Sequence, residues 1–583
     1  MGVRPGRAFT IGSTIVAVAA LTTGASLADT SAPAQPRERG HSEFWWPKLE
    51  QDVQVLALND LHGNLEPAGE VGDQPAGGAE YLASHLDELR DGHRWTTTVA
   101  AGDLIGASPL LSAAFYDEPT IEALSAMDLD AASVGNHEFD AGWQELLRKQ
   151  NGGCKDTDDP NRDSCPDPQA PFEGAGFDYL SANVFHEDNG DTLLPPYTIE
   201  RFGPSRIAFI GMTLEDTPNI VTAESVEGLE FTDEVETANA LVPKLKRRGV
   251  DSIVVLLHEG GFSADPDRYN DCPEISGPVV DIAENLDPEI DAVISGHTHE
   301  AYNCSIPDPD GEQRLVTSAS SYGSMLTEIN LTIDLWTGDV VRDATQATNH
   351  VVDHEVAKDA EMTELIAKYG EYVKPIESQV IGHLTGSEVT SEPDDSHESP
   401  LGNLIADSML TDESVVTGGE KPTVAFMNPG GIRADLVAED GDNAITYGSA
   451  FAVQPFGNYL VSMDLTGAQL LELLEQQWTG DNAGGADAWK VLQVAGMSYT
   501  WQPGGDSGQV VDGSVEVNGE ALDTSATYRV VTNSFLADGG DGFPTFTEGE
   551  NVYFGGLDID AMSTYLEAND PYDPMPTDRI DVR

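Results

Sequence analysis

Five short stretches of this chain concentrate side chains that bind metals or move protons. They read Asn59-Asp-Leu-His-Gly63, Gly102-Asp103, Gly135-Asn-His-Glu-Phe-Asp140, His258 and Ser295-Gly-His-Thr-His299. Of the 13 histidines in 583 residues, His62, His137, His258, His297 and His299 fall inside them. Any one cluster alone is an ordinary turn or cap, but five in one region are hard to explain as turns. Asp60, His62, Asp103, Asn136, His258, His297 and His299 together offer carboxylate, amide and imidazole donors. That mixture suits two divalent cations roughly 3.5–4 Å apart, which need a bridging carboxylate and both nitrogen and oxygen ligands. Neutral imidazoles favour Zn, Mn, Fe or Ni, while the oxygens are harder donors. Two such ions bring four positive charges and Asp60 and Asp103 remove two, so about two remain to attract a phosphate dianion.

Positioning such a set requires strands that end together. Each cluster follows a short apolar or β-branched run: "VQVLAL" before Asn59, "TTTVAA" before Gly102, "AASV" before Gly135, "SIVVLL" before His258 and "DAVI" before Ser295. "RIAFIG" is another such run, and helical periodicity falls between them, as in "AEYLASHLDELR" and "EPTIEALSAM". Buried strands alternating with helices indicate an α/β (α+β) domain, and such folds build sites just past strand ends. Alternation along an extended segment predicts that Asp60 and His62 share one side, and that His297 and His299 do likewise. The expected organisation is a signal peptide over 1–28, a disordered leader over 29–50, the metal-binding domain over 51–349, a linker helix over 350–378 and a second domain over 379–583. That second domain carries its own helix, "PLGNLIADSML", and the strands "TVAFMN", "YLVSMDLTG" and "TYRVVTNSF".

Composition narrows the function classes. The chain has 101 Asp+Glu against 29 Lys+Arg, a formal charge of −72. Such a surface repels nucleic acid polymers and anionic membranes, so an anionic substrate needs local positive charge. Arg4 and Arg7 precede a short apolar stretch that ends in small residues near Ala28, the pattern of a secretory signal peptide. The stretch is too short for a membrane span, and "DRIDVR" at the other end offers no hydrophobic anchor. The expectation is an exported protein without a membrane anchor, in the periplasm or the medium. Export favours disulfides. Cys154, Cys165, Cys272 and Cys304 allow three pairings, and the local pairs Cys154–Cys165 and Cys272–Cys304 are expected.

Taken in order, "NDLHG", "GD", "GNHEFD", "H" and "SGHTH" resemble the calcineurin-like metallophosphoesterase superfamily. With the second domain, the chain from about Val53 onward resembles secreted bacterial 5′-nucleotidases, the family that includes periplasmic UDP-sugar hydrolase and ecto-5′-nucleotidase. The resemblance implies a calcineurin-like β-sandwich flanked by helices, a linker helix that lets the second domain rotate, and a 5′-nucleotidase α/β domain. It implies that Asp60, His62 and His299 bind one divalent metal (Zn, Mn or similar). Asn136, His258 and His297 would bind a second, and Asp103 would bridge them, with a metal-bridging hydroxide as nucleophile. His137 would not be a ligand. It would act on the phosphoryl or leaving-group oxygen, with Asp140 orienting its ring, as a carboxylate three residues on can do from the same helical face. Such a partner fixes the tautomer and raises the imidazole pKa. Glu138 and Phe139 are read as structural.

Three segments of the second domain, "MNPGGIRAD", "QPFGNY" and "NSFLADGGDGF", are by themselves turns and core aromatics. The resemblance implies that they form a nucleotide pocket. Phe456 and Phe535 would sandwich the base, a contact of about 1–3 kcal/mol. Arg433 would grip the phosphate, Asn428 would lie near the base and Asp541 would hold the ribose hydroxyls. One departure stands out: relatives often carry Arg just before the "LGNL" helix, and here "SEPDDSHESP" has none. The expected activity is hydrolysis of 5′-nucleoside monophosphates. The rival activities are 2′,3′-cyclic-nucleotide phosphodiesterase and UDP-sugar or NAD pyrophosphatase on the same scaffold, and a rival of another class is a catalytically silent surface-binding module.

Overall fold

The apolar runs become strands of two six-stranded mixed sheets. Edge to edge, the first runs Gln346–Val351, Met325–Asp334, Glu50–Leu58, Thr96–Ala101, Ala131–Ser133 and Asp178–Leu180. The second runs Ala301–Pro307, Gln313–Ala319, Ala292–Ser295, Ser252–His258, Ser205–Thr213 and Tyr197–Phe202. The central strands of each are parallel. Val53, Val55, Val99 and Ala131 from one sheet meet Phe209, Val254, Leu256 and Ile294 from the other in a fully buried layer. Strands buried on both faces read as near-continuous apolar runs, which is why they were legible. This computed structural model describes residues 49–583 apart from 68, 73, 158–160, 440, 485–487 and 506. The expected signal peptide, and the expected leader up to residue 48, lie outside the described residues; Glu50 already opens the first strand.

The segment 350–378 is not one helix. Gln346–Val351 is a strand at the edge of the first sheet, and the helix spans Ala360–Glu377. Asp359 caps it by accepting from the Met362 N–H, the usual signal for a helix start. Met362, Tyr369 and Val373 are buried, and the Tyr369 ring lies 5.1 Å from that of Phe115. One apolar cluster runs from Leu82 and Phe115 through Tyr369 to Leu404 and Phe451. The helix is therefore packed against both halves of the chain.

Beyond it, a five-stranded sheet runs Gln493–Ala495, Val424–Met427, Thr527–Asn533, Tyr459–Thr466 and Glu550–Leu557. The helix Pro400–Thr411, capped by Ser399, buries Leu401, Leu404, Ile405 and Met409 against it. Both expected disulfides are formed, Cys154–Cys165 and Cys272–Cys304. Among the described residues no helix is long and apolar enough to cross a membrane.

Candidate active site

All five clusters emerge at the carboxyl ends of parallel strands, so both sheets deliver them to one rim of the sandwich. The local backbone is unusual there. Asp60, His62, Asp103, His297 and His299 have φ of 50°, 47°, 48°, 74° and 59°, a left-handed conformation that costs a non-glycine residue about 1–2 kcal/mol. They are five of the 18 non-glycine residues with positive φ among the described residues, and such strain persists where the surrounding fold enforces it. It also corrects the expectation that each pair shares a side through strand alternation. The strands end at Leu58 and Ser295; beyond them, in left-handed backbone, Asp60 and His62 join one donor group while His297 and His299 divide between two. The loops are tied together: the Asp60, His62 and Gly63 N–H groups donate to the carbonyls of Gly102, Asp103 and Leu104.

Two glycines in the motifs leave no room for a side chain. A Cβ on Gly135 would come within 2.2 Å of Asp103 Oδ1, and one on Gly102 within 2.5 Å of His258 Nδ1. Glu138, read as structural, fastens these loops from beneath. Fully buried, it accepts from the N–H groups of Asp103 (2.9 Å), Leu104 (2.8 Å) and Gly135 (2.6 Å). Phe139 is buried in the core.

The seven expected ligands lie together. Asp60, His62, Asp103, Asn136 and His258 are almost wholly buried. Asp60, His62 and His299 form one group with donor atoms within 4.8 Å of one another, and Asp103, His258 and His297 form a second. Asp103 stands between them, its Oδ2 lying 3.8 Å from His62 Nε2 and 3.0 Å from His258 Nε2. Asn136 Oδ1 lies 3.2 Å from His258 Nε2 and 3.1 Å from His297 Nδ1.

The donor set fits a cation on each side of Asp103. His62 Nδ1 is 3.0 Å from the Gly106 carbonyl, and His258 Nδ1 is 2.7 Å from that of Ala101. Each carbonyl accepts, which places the ring proton on Nδ1 and leaves Nε2 with its lone pair, as in metal-ligating histidines. Yet His62 Nε2 faces His299 Nε2 at 3.0 Å, and His258 Nε2 faces the oxygens of Asp103 and Asn136. Acceptors aimed at one another need positive charge between them. The protons show the same demand. Burial opposes a charge on His258, but the adjoining Asp103 and Asp60 carboxylates hold it up at about 10. Burial and the His258 charge press His297 down to about 3; burial and Arg433 press His299 down to about 4.

His137 differs from the seven expected ligands. It opens a short 3₁₀ turn, His137–Phe139, that brings Asp140 back beside it. Its Nδ1 lies 2.9 Å from Asp140 Oδ2, which also accepts from the Ala107 N–H at 3.2 Å. Burial alone would lower the imidazole, but the Asp140 and Asp103 carboxylates lift it to about 9. Its ring stands edge-on to His62 at 5.0 Å and stacks on Phe456 at 5.8 Å.

That stacking joins the two halves of the site. A cavity of about 290 Å³ opens from Asn136, His137, Asp140 and His297 onto Asn428, Arg433, Phe456, Phe535 and Asp541. All the substrate residues expected from the second domain line it. Arg433 lies over the Phe456 ring at 5.8 Å. Asn428 donates to Asp541 Oδ2 at 2.7 Å and accepts from Asn533 at 3.0 Å. Asp541 is itself left-handed, with φ of 54°. Sequence reasoning missed four lining residues, Ile220, Val221, Thr222 and Lys490; none belongs to a quoted cluster or segment. The Arg-less stretch faces elsewhere: Asp394 accepts from Ser396, and the His397 ring packs 5.8 and 5.9 Å from Trp489 and Trp501.

Comparison with known proteins accords with this two-part construction. The family described as calcineurin-like phosphoesterase matches residues 53–301, and the one described as 5′-nucleotidase, C-terminal domain, matches residues 380–548. Endonuclease YhcR of Bacillus subtilis is 31% identical over 533 residues, covering 90% of this chain and 40% of the relative. Cell wall protein Lmo0130 of Listeria monocytogenes is 31% identical over 545 residues, covering 88% of this chain and 67% of the relative. The solved 5′-nucleotidase precursor from Thermus thermophilus superposes with a TM-score of 0.71 at 28% identity, covering 91% of this chain and 99% of that one. With a phosphoesterase half, a 5′-nucleotidase half and relatives that span both, this chain belongs to the calcineurin-like 5′-nucleotidase family.

Proposed function

We propose that this chain hydrolyses 5′-nucleoside monophosphates to nucleoside and inorganic phosphate. One observation carries the reading: the His137–Phe456 stack joins the seven-ligand cluster to the aromatic cleft. Asp60, His62 and His299 would hold one divalent cation, Asn136, His258 and His297 a second, and Asp103 both. When bound, such cations supply Lewis-acid charge and a nucleophilic water at neutral pH. Phe456 and Phe535 hold the base between them, Asp541 orients the ribose, and Arg433 draws the phosphate toward His137. His137, charged and aligned by Asp140, donates its Nε2 proton to the departing 5′-oxygen. The two disulfides and the kinship with a cell wall protein support export as the setting.

A larger cavity of about 820 Å³ adjoins His137, Asp140 and Phe456 on the other side. Its size favours a second reading, in which a phosphodiester or pyrophosphate carries a further group beyond the scissile phosphorus. A product assay separates the two. The protein is loaded with Mn or Zn and given AMP, 2′,3′-cyclic AMP, UDP-glucose and NAD. The first reading expects rapid phosphate release from AMP. Negligible release from AMP with efficient cleavage of the larger substrates would overturn it in favour of the second.

A further inference from the structure

Two cations line the 290 Å³ cleft, Arg433 and Lys490. Among the described residues neither is paired with a carboxylate, although the chain carries 101 acidic groups against 29 basic ones. Their placement differs. Arg433 lies over Phe456, which stacks on His137, so it stands on the side toward the ligand cluster. Lys490 comes from a separate segment that follows the helix Gly467–Gln476. Its backbone N–H donates to the Gln477 carbonyl, and its neighbour Trp489 packs into the same apolar cluster as Phe535. The same segment holds Asn482, whose amide donates to the Gln476 and Asp541 carbonyls at 3.1 and 2.9 Å. Lys490 is thus anchored in a segment tied to those of Phe535 and Asp541, which the reading above assigns to base and ribose.

The other polar groups at this end are committed. Asn428 is bonded to Asp541 and Asn533, and Asn458 Oδ1 accepts from Ser534 at 3.2 Å. Among the described residues the Lys490 ammonium has no hydrogen-bond or ion-pair partner. An ammonium has three donors and no acceptor. Hypoxanthine, guanine and uracil present a carbonyl oxygen on the base edge where adenine presents an amino group, itself a donor.

We propose that Lys490 reads the base edge and makes this site prefer 6-oxopurine and 4-oxopyrimidine nucleotides over adenine nucleotides. The inference rests on the nucleotide-cleft reading above, but it concerns which base is held, not the hydrolysis. A hydrogen bond to a charged donor corresponds to about tenfold or more in affinity.

The test is a titration of inosine and adenosine into the wild-type protein and Lys490→Met, run beside phosphate release from IMP and AMP. We expect the wild type to bind inosine about tenfold more tightly than adenosine. Lys490→Met should abolish that ratio while leaving adenosine binding unchanged. Equal affinities in the wild type, or a ratio unaltered in Lys490→Met, would overturn the proposal. So would an equal loss for IMP, AMP and base-free ribose 5-phosphate, because that pattern belongs to a phosphate clamp. If inosine preference depends on Lys490 but neither monophosphate is hydrolysed, the base-reading role stands and the 5′-nucleotidase reading fails alone.

Discussion

The proposed ligand cluster and the aromatic cleft are built in opposite ways. The cluster is buried except at His297 and His299, carries its strain in left-handed residues and is locked from behind by Glu138 and the Gly106 and Ala101 carbonyls. Each of its residues has one acceptable position. The cleft is a partly open wall of ordinary side chains from segments over 100 residues apart, Asn428 to Asp541, and only Asp541 is strained. The difference teaches where the chemistry and the selectivity lie. Cations and a reacting phosphate need preorganised charge, whereas stacking on a base tolerates adjustment. Changes in the cluster should therefore abolish turnover, and changes in the cleft should shift affinity.

The sharpest break is Asp103→Asn. Removing the shared carboxylate should cut turnover on the order of 10⁴-fold, as expected for several kcal/mol of lost charge stabilisation. Phosphate release with elemental analysis checks it; wild-type activity would mean that the cluster does not catalyse. Next, His137→Ala should lower kcat by about 10²–10³-fold with metal content nearly intact, whereas Asn136→Ala should lose metal. If both variants lose metal equally, the division between ligand and proton donor is wrong.

On the cleft side, Phe535→Ala should raise KM for nucleotides by about 10–100-fold, the equivalent of one lost base stack. Turnover of p-nitrophenyl phosphate should not change, and a parallel loss on that base-free substrate would erase the contrast between the regions. The smallest effect expected is that of Glu138→Gln. It replaces a carboxylate that accepts three N–H groups with an amide that also presents donors to them. Metal affinity should fall by about tenfold, the lower end for an outer partner of metal ligands, and a melting curve should show a lower Tm. No change in either measurement would mean that the loops hold their shape unaided.

How far each region was legible follows from the same contrast. Asp60, His62, Asp103, Asn136, His258, His297 and His299 stood out because few residue types bind metals and each sits beside a strand end. The glycines that precede Asp103, Asn136 and His297 completed the signature. The cleft was readable only through its resemblance to a family, since Phe456, Phe535 and Arg433 are common residues in common turns. Lys490, Val221 and Thr222 were invisible, because nothing near them in sequence announces a cavity.

By itself, the sequence determined which residues could ligate and that the strands would be buried in an α/β frame; for the cysteines it supported an expectation of local pairing among three possibilities. These follow from residue chemistry and short-range pattern. Only the tertiary structure decided how the ligands converge. It replaced strand alternation with left-handed turns, divided the segment 350–378 between an edge strand and a helix, and set Phe456 against His137. Convergence of this kind depends on contacts between segments hundreds of residues apart, and no local period in the chain encodes it.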